Sequence, residues 1–173
     1  MKGTINKKCR LCRREKTKLF LKSTRCLSAK CPVDKKGGAI PGVYVQKRRR
    51  NISEYGIQLR EKQKVKRMYG ILEHQFKRYF KLARKTKEAT GEGLLRILEM
   101  RLDNAVYRLG FAPSRAMARQ LVSHRHVFVN GKRVNIPSYG LKPEDMISLS
   151  TKALGNSLVK ETIASKNDII PEW

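Results

Sequence analysis

Apolar residues recur at helical spacing in some stretches of the chain and alternate in others, and the two periods mark out its elements. Ser53 and Glu54 read as an N-cap and a first-turn acid, opening a helix that runs to about Arg67 and breaks at Gly70. Beyond the break Leu72, Phe76 and Phe80 recur in steps of four, with Tyr69 and Ala83 extending the stripe. Two helices packed together are the simplest reading of 53–86. Thr90 is expected to cap a third helix with the stripe Leu95, Leu98, Leu102, Val106 and Leu109, and Gly110 suits its C′ position. After Pro113, Ser114 caps a short helix to about Ser123, with Ala118, Leu121 and Val122 inward. Val127-Phe128-Val129 and Lys132-Arg133-Val134 flank Asn130-Gly131, a strong hairpin signal, and Met146–Leu149 supplies a further short strand. Residues 151–173 read as weakly helical at best, and no internal repeat is visible.

Charge divides the same chain differently. Of its 40 Lys and Arg residues, 17 fall in residues 1–50, against two acids there, Glu15 and Asp34. Net charge falls from +15 over 1–50 to +7 over 51–90 and +4 over 91–150, and is zero over 151–173. A total of +26 on 173 residues repels itself and calls for a polyanionic partner, since neutralising phosphates releases their counterions. The N-terminus lacks the apolar centre of a signal peptide, and no apolar run reaches the roughly 20 residues that span a bilayer. A cytosolic, reducing setting without a membrane is therefore expected.

In that setting four clustered cysteines suggest metal rather than disulfides. Cys9 and Cys12 are separated by two residues, Cys26 and Cys31 by four, and the pairs by thirteen. Two close pairs of thiolates suit the tetrahedral preference of one structural Zn2+ ion, with Lys7, Lys8, Arg10, Arg13 and Arg14 favouring their ionised form. Buried or redox-active cysteines are the alternative. Four thiolates leave no open position for catalysis, so the ion is expected to be a staple.

Arg10, Arg13 and Arg14 are expected to contact RNA as well, and the remaining basic residues divide into three groups. Lys47-Arg48-Arg49-Arg50 ends a Gly-rich linker over 37–51 and reads, taken alone, equally well as a disordered or localisation-like run. Arg60, Lys62, Lys64, Lys66 and Arg67 outnumber the acids of their helix, Glu54 and Glu61, which favours phosphate contact over a self-paired surface. Arg115 at a helix N-terminus, Arg119 one turn on, His124 with Arg125, and Lys132 with Arg133 are expected to form a face reading the shape and backbone of folded RNA. The three histidines have no partnered nucleophile, and the chain carries no phosphate-cradling loop and no paired catalytic carboxylates. An enzyme is not expected.

Several stretches resemble the family of bacterial small-subunit ribosomal protein four. They are Ser53-Glu54-Tyr55-Gly56-x-Gln58-Leu59-Arg60-Glu61-Lys62-Gln63-Lys64, Tyr69-Gly70-x-x-Glu73-x-Gln75-Phe76 and Arg101-Leu102-Asp103-Asn104-x-Val106-Tyr107-Arg108-Leu109-Gly110-Phe111, followed by Ser114-Arg115-x-x-Ala118-Arg119-Gln120-Leu121-Val122, Val129-Asn130-Gly131-Lys132 and Ile136-Pro137-Ser138-Tyr139. The match covers roughly 7–150, and the four cysteines fit the zinc-bearing branch. The resemblance implies a non-enzymatic primary binder of small-subunit ribosomal RNA, acting early in assembly at a multi-helix junction of the RNA 5′ domain. It implies a position beside the channel through which messenger RNA enters, with Lys47, Arg48 and Arg49 facing it, and contact with ribosomal protein five of the small subunit. Some members repress their own messenger, so an extraribosomal messenger-binding repressor is the second reading. The third, a fragment of an RNA-modifying enzyme, needs a catalytic domain that these motifs do not supply. Arg125 and Glu144 stand where the family usually has Gly, and Gly42-Val43-Tyr44-Val45 replaces a usual Gly-Gln-His-Gly. The chain also stops short of a typical member, in a region that normally approaches protein five.

The fold class expected is α+β, with a zinc-stapled N-terminal segment, a small helical domain, and a helix-helix-β-hairpin RNA-binding module. The boundaries are 1–50 for the basic segment and linker, 51–90 for the helical domain, 91–150 for the module, and 151–173 for a shortened C-terminal segment.

Overall fold

The structure is a computed structural model that describes residues 8–35, 39–41 and 53–165. The basic run Lys47–Arg50 and most of the linker before it lie outside the described residues. The chain forms two compact units that divide between Ile71 and Leu72.

In the first unit α1 (Lys8–Glu15) packs against α2 (Pro32–Lys35) and against α3 (Glu54–Met68), with a 3-10 turn at Ser23–Cys26 between the first two. Lys16 and Phe20 adopt left-handed backbone at φ 54° and 48°, which turns the chain back after α1. Leu19, Cys12, Cys26, Cys31, Tyr69 and Ile71 are buried there. Ser53 caps α3 as expected, accepting a hydrogen bond from the Gly56 amide. Gly70 ends the segment at φ 65°, a conformation glycine adopts without a Cβ clash.

In the second unit α4 (Glu73–Ala83) packs against α5 (Thr90–Glu99), and α6 (Leu102–Arg108) against α7 (Arg115–Ser123). Within its own unit α3 packs on α1, and α4 packs on α5. The expected α4 stripe is half right. Phe76 and Ala83 are buried, whereas Leu72 and Phe80 are exposed. Gly93 makes the α4–α5 approach possible, because a Cβ there would stand 2.9 Å from the Thr86 hydroxyl.

The helix expected from Thr90 to Leu109 is two helices. Leu98, Leu102 and Val106 are buried as the stripe implies, but the chain breaks at Met100 and Arg101. There the backbone pairs with a distant loop. Leu102 N–H donates to Tyr139 O, Asp103 N–H to Pro137 O, and Leu141 N–H to Met100 O. These long-range bonds replace helical ones, so local periodicity could not show the break. Ala89, not Thr90, holds the N-cap position of α5, without a side-chain bond.

Ser114 caps α7, its Oγ accepting from the Met117 amide at 3.4 Å. The sheet has the order β2-β1-β3, with β1 (Val127–Val129) paired antiparallel to both β2 (Lys132–Val134) and β3 (Ile147–Leu149). Asn130 and Gly131 both have positive φ, 51° and 73°, the type I′ geometry a two-residue hairpin favours. The C-terminal segment is more ordered than expected. It forms α8 (Thr151–Leu154), capped by Ser150, and α9 (Ser157–Ala164), capped by Asn156. Through them Ala153 and Val159 join Leu102, Val106, Ala118, Val122, Val127 and Val129 in one core.

Candidate nucleic-acid interface

In the first unit Cys12, Cys26 and Cys31 are buried and Cys9 is half-buried. Burial pushes the Cys12 thiol up; a hydrogen bond from the Leu19 backbone opposes this, and the neighbouring Cys26, Cys9 and Cys31 add to the rise. The Lys22 amide donates to Cys26 Sγ at 3.2 Å. All four are free thiols. Their donor chemistry suits a single tetrahedral ion. Among the described residues, however, no three His, Cys, Asp or Glu side chains form a group placed to hold a metal, so the arrangement does not by itself support the expected zinc staple.

The basic residues of this unit are not equivalent. Arg10 and Arg14 are exposed, while Arg13 is half-buried and donates from Nε to Ala39 O at 2.9 Å. Arg60 and Arg67 both donate to Glu15, whose side chain is completely buried. These two arginines, expected as phosphate ligands, therefore also hold α3 to α1. Lys64 pairs with Glu61 at 2.7 Å, and Lys62 is half-buried on the same helix.

In the second unit a polar network underlies α7. Arg101, 2 % exposed, makes a two-pronged contact with Asp103 at 3.0 and 2.7 Å and also donates to Tyr79 Oη. Burial works against its charge, but the Asp103 hydrogen bonds and charge outweigh that and raise its pKa further. Asp103 also takes Arg119 Nε at 3.4 Å. Arg115 Nε donates to Asn104 Oδ1 at 2.8 Å while its guanidinium lies 4.7 Å from the Tyr107 ring centroid. Asn104 in turn donates to Glu99, which pairs with Arg108. Arg115 and Arg119 are thus brought together on successive turns of α7 and anchored on α6. Arg119 keeps 39 % of its side chain exposed.

His124 is exposed at the C-terminus of α7, 6.4 Å ring to ring from His126, and Lys132 and Arg133 are exposed on β2. Arg133 lies over Phe128, with Cζ 5.3 Å from the ring centroid. Sequence reasoning treated Phe128 only as a strand residue and missed the roles of Arg101, Asp103 and Asn104. The alternation Val127-Phe128-Val129 already carried the signal that Phe128 points away from the core. The two positions where the resemblance expects glycine are both left-handed, Arg125 at φ 63° and Glu144 at φ 74°.

The sequence matches two families end to end, the Ribosomal protein S4/S9 N-terminal domain over residues 4–99 and the S4 domain over residues 100–147. This chain belongs to the ribosomal protein S4 family. It is 55 % identical over 166 residues to the small ribosomal subunit protein uS4 of Natranaerobius thermophilus, covering 95 % of this chain and 79 % of that one. It is 52 % identical over 170 residues to the protein of the same name from Magnetococcus marinus, covering 98 % and 81 %. A third such relative, from Dictyoglomus turgidum, is 55 % identical over 166 residues, covering 95 % of this chain and 79 % of its own. The boundary between the two family matches falls at the break between α5 and α6, next to the buried Arg101.

Proposed function

We propose that the chain is a structural, RNA-binding component of the small ribosomal subunit, working in the cytoplasmic ribosome without a catalytic step. The observation that carries this reading is the family match from residue 4 to residue 147, at more than half identity to relatives bearing the small-subunit name. The exposed cations of β2, the half-buried Arg115 and Arg119 of α7 and the net charge of +26 supply the phosphate-binding chemistry the role requires. The finer reading is that it binds the 5′ domain of the small-subunit RNA early in assembly. It then lies beside the channel where messenger enters and touches ribosomal protein five. Binding to a transcript of that 5′ domain, with bulk transfer RNA as competitor across a salt series, tests the RNA assignment. Affinity that survives the competitor, with a log–log salt slope near about −6 to −7 for roughly eight neutralised phosphates, is the expected result. Binding that the competitor erases would leave only a non-specific polycation.

We propose also that Cys9, Cys12, Cys26 and Cys31 hold one structural Zn2+ ion. Their pair spacing supports this, and the polar segment around them has few apolar residues to fold on. When bound, the ion supplies a fixed tetrahedral crosslink. Native mass spectrometry should find one zinc per chain, and chelation should unfold residues 8–35 by hydrogen exchange while α7 and β1 stay protected. A metal-free chain with the same protection over 8–35 would remove zinc from this account.

A further inference from the structure

We propose that Phe128 and Arg133 form a stacking platform on the outer face of the sheet for one unpaired base of the bound RNA. This rests on the RNA-binding reading and assigns it a particular contact. On β1, Val127 and Val129 are buried in the core, and the strand alternation turns Phe128 to the opposite face. The register places Arg133 of β2 directly across from Phe128 on one side and Ser148 of β3 across on the other. Phe128 is not among the residues that make or pack against the hydrophobic core. It occupies the centre of a sheet face as an aromatic ring with a guanidinium 5.3 Å from its centroid.

A cross-strand cation–π pair alone stabilises an exposed hairpin by about 0.5–1 kcal/mol, which accounts for the pairing but not for its chemistry. Two further observations separate a platform from a brace. First, Arg101, which also lies over a ring, that of Tyr79, pairs with Asp103, whereas among the described residues no acid pairs with Arg133. Its charge is uncompensated although its plane is positioned. Second, Ser148, across from Phe128 on β3, is exposed, so on this face the ring is flanked by a cation on one side and a small hydroxyl on the other. Unstacked RNA bases are recognised by stacking on aromatic rings and on arginine planes while nearby cations hold the backbone, and Ser148 sets a hydroxyl across from the ring to meet a base edge.

The test uses the full chain and the 5′-domain transcript. Phe128→Leu keeps an apolar strand residue without a π face, and Arg133→Lys keeps the charge without the plane. Each should weaken binding about fivefold or more while leaving the salt slope unchanged. Lys132→Ala should reduce the slope by about one instead. A transcript carrying 5-iodouridine should photocrosslink to the peptide containing Phe128, and the crosslink should vanish in Phe128→Leu. Thermal melts of both variants check that the hairpin still folds. Wild-type affinity in folded Phe128→Leu and Arg133→Lys, with no crosslink at β1, overturns the platform and leaves a hairpin brace. A wild-type chain that does not bind the transcript overturns the RNA reading and the platform together.

Discussion

Asp103 shows how one residue can carry a surface. It is 5 % exposed, holds the buried Arg101 by two hydrogen bonds, and takes Arg119 from α7. Replacing it with Asn keeps the shape and removes the charge. Asp103→Asn should destabilise the second unit by about 3–5 kcal/mol, because Arg101 is left as an uncompensated buried cation. Urea unfolding followed by a probe in that unit measures this. A loss below 1 kcal/mol would mean that Tyr79 and solvent suffice for Arg101. The same network changes how the arginines of α7 are to be tested. Arg115 was expected to be a surface cation facing phosphate, but its bond to Asn104 and its contact with Tyr107 make it part of the fold as well. Truncating it removes packing and charge together, so Lys132 is the cleaner probe of phosphate contact. Arg125 and Glu144 both hold the positive φ that glycine adopts freely. A non-glycine residue in left-handed backbone costs about 1–2 kcal/mol.

Among the elements, those with a local cause were legible. The caps at Ser53 and Ser114, the glycine stops at Gly70 and Gly110, and the Asn130-Gly131 hairpin all lie where the sequence indicates. Each is decided by a side chain acting within a few residues of itself. The division of the third helix into α5 and α6 has no such cause, because it depends on backbone bonds to Pro137, Tyr139 and Leu141. The helices α8 and α9 are similar. Four and eight residues are too short to be stable alone, so their order comes from docking Ala153 and Val159 into the core. Val159→Ala should therefore cost about 1–3 kcal/mol and raise hydrogen exchange through α9 more than through α7. Equal protection of α9 in the variant would show that its caps hold it without the core.

For the whole molecule, net charge sets the conditions under which both units exist. A charge of +26 opposes compaction and attracts polyanions, and salt screens both effects. Raising ionic strength should therefore increase the melting temperature of the free chain while weakening its complex with RNA. Calorimetry of the free chain and a binding series in the same buffers read the two trends. A melting temperature that falls with salt would show that ion pairs such as Arg60 and Arg67 on Glu15 outweigh the net repulsion. The sequence by itself determined the family, the basic character, the bounds of α3 and α7 and the hairpin, because motifs, charge and caps are written in consecutive residues. Only the tertiary structure decided which cations are tied into the fold and where the long helix breaks. Those features depend on side chains and backbone groups far apart in the chain meeting across a packed core, and no local pattern records them.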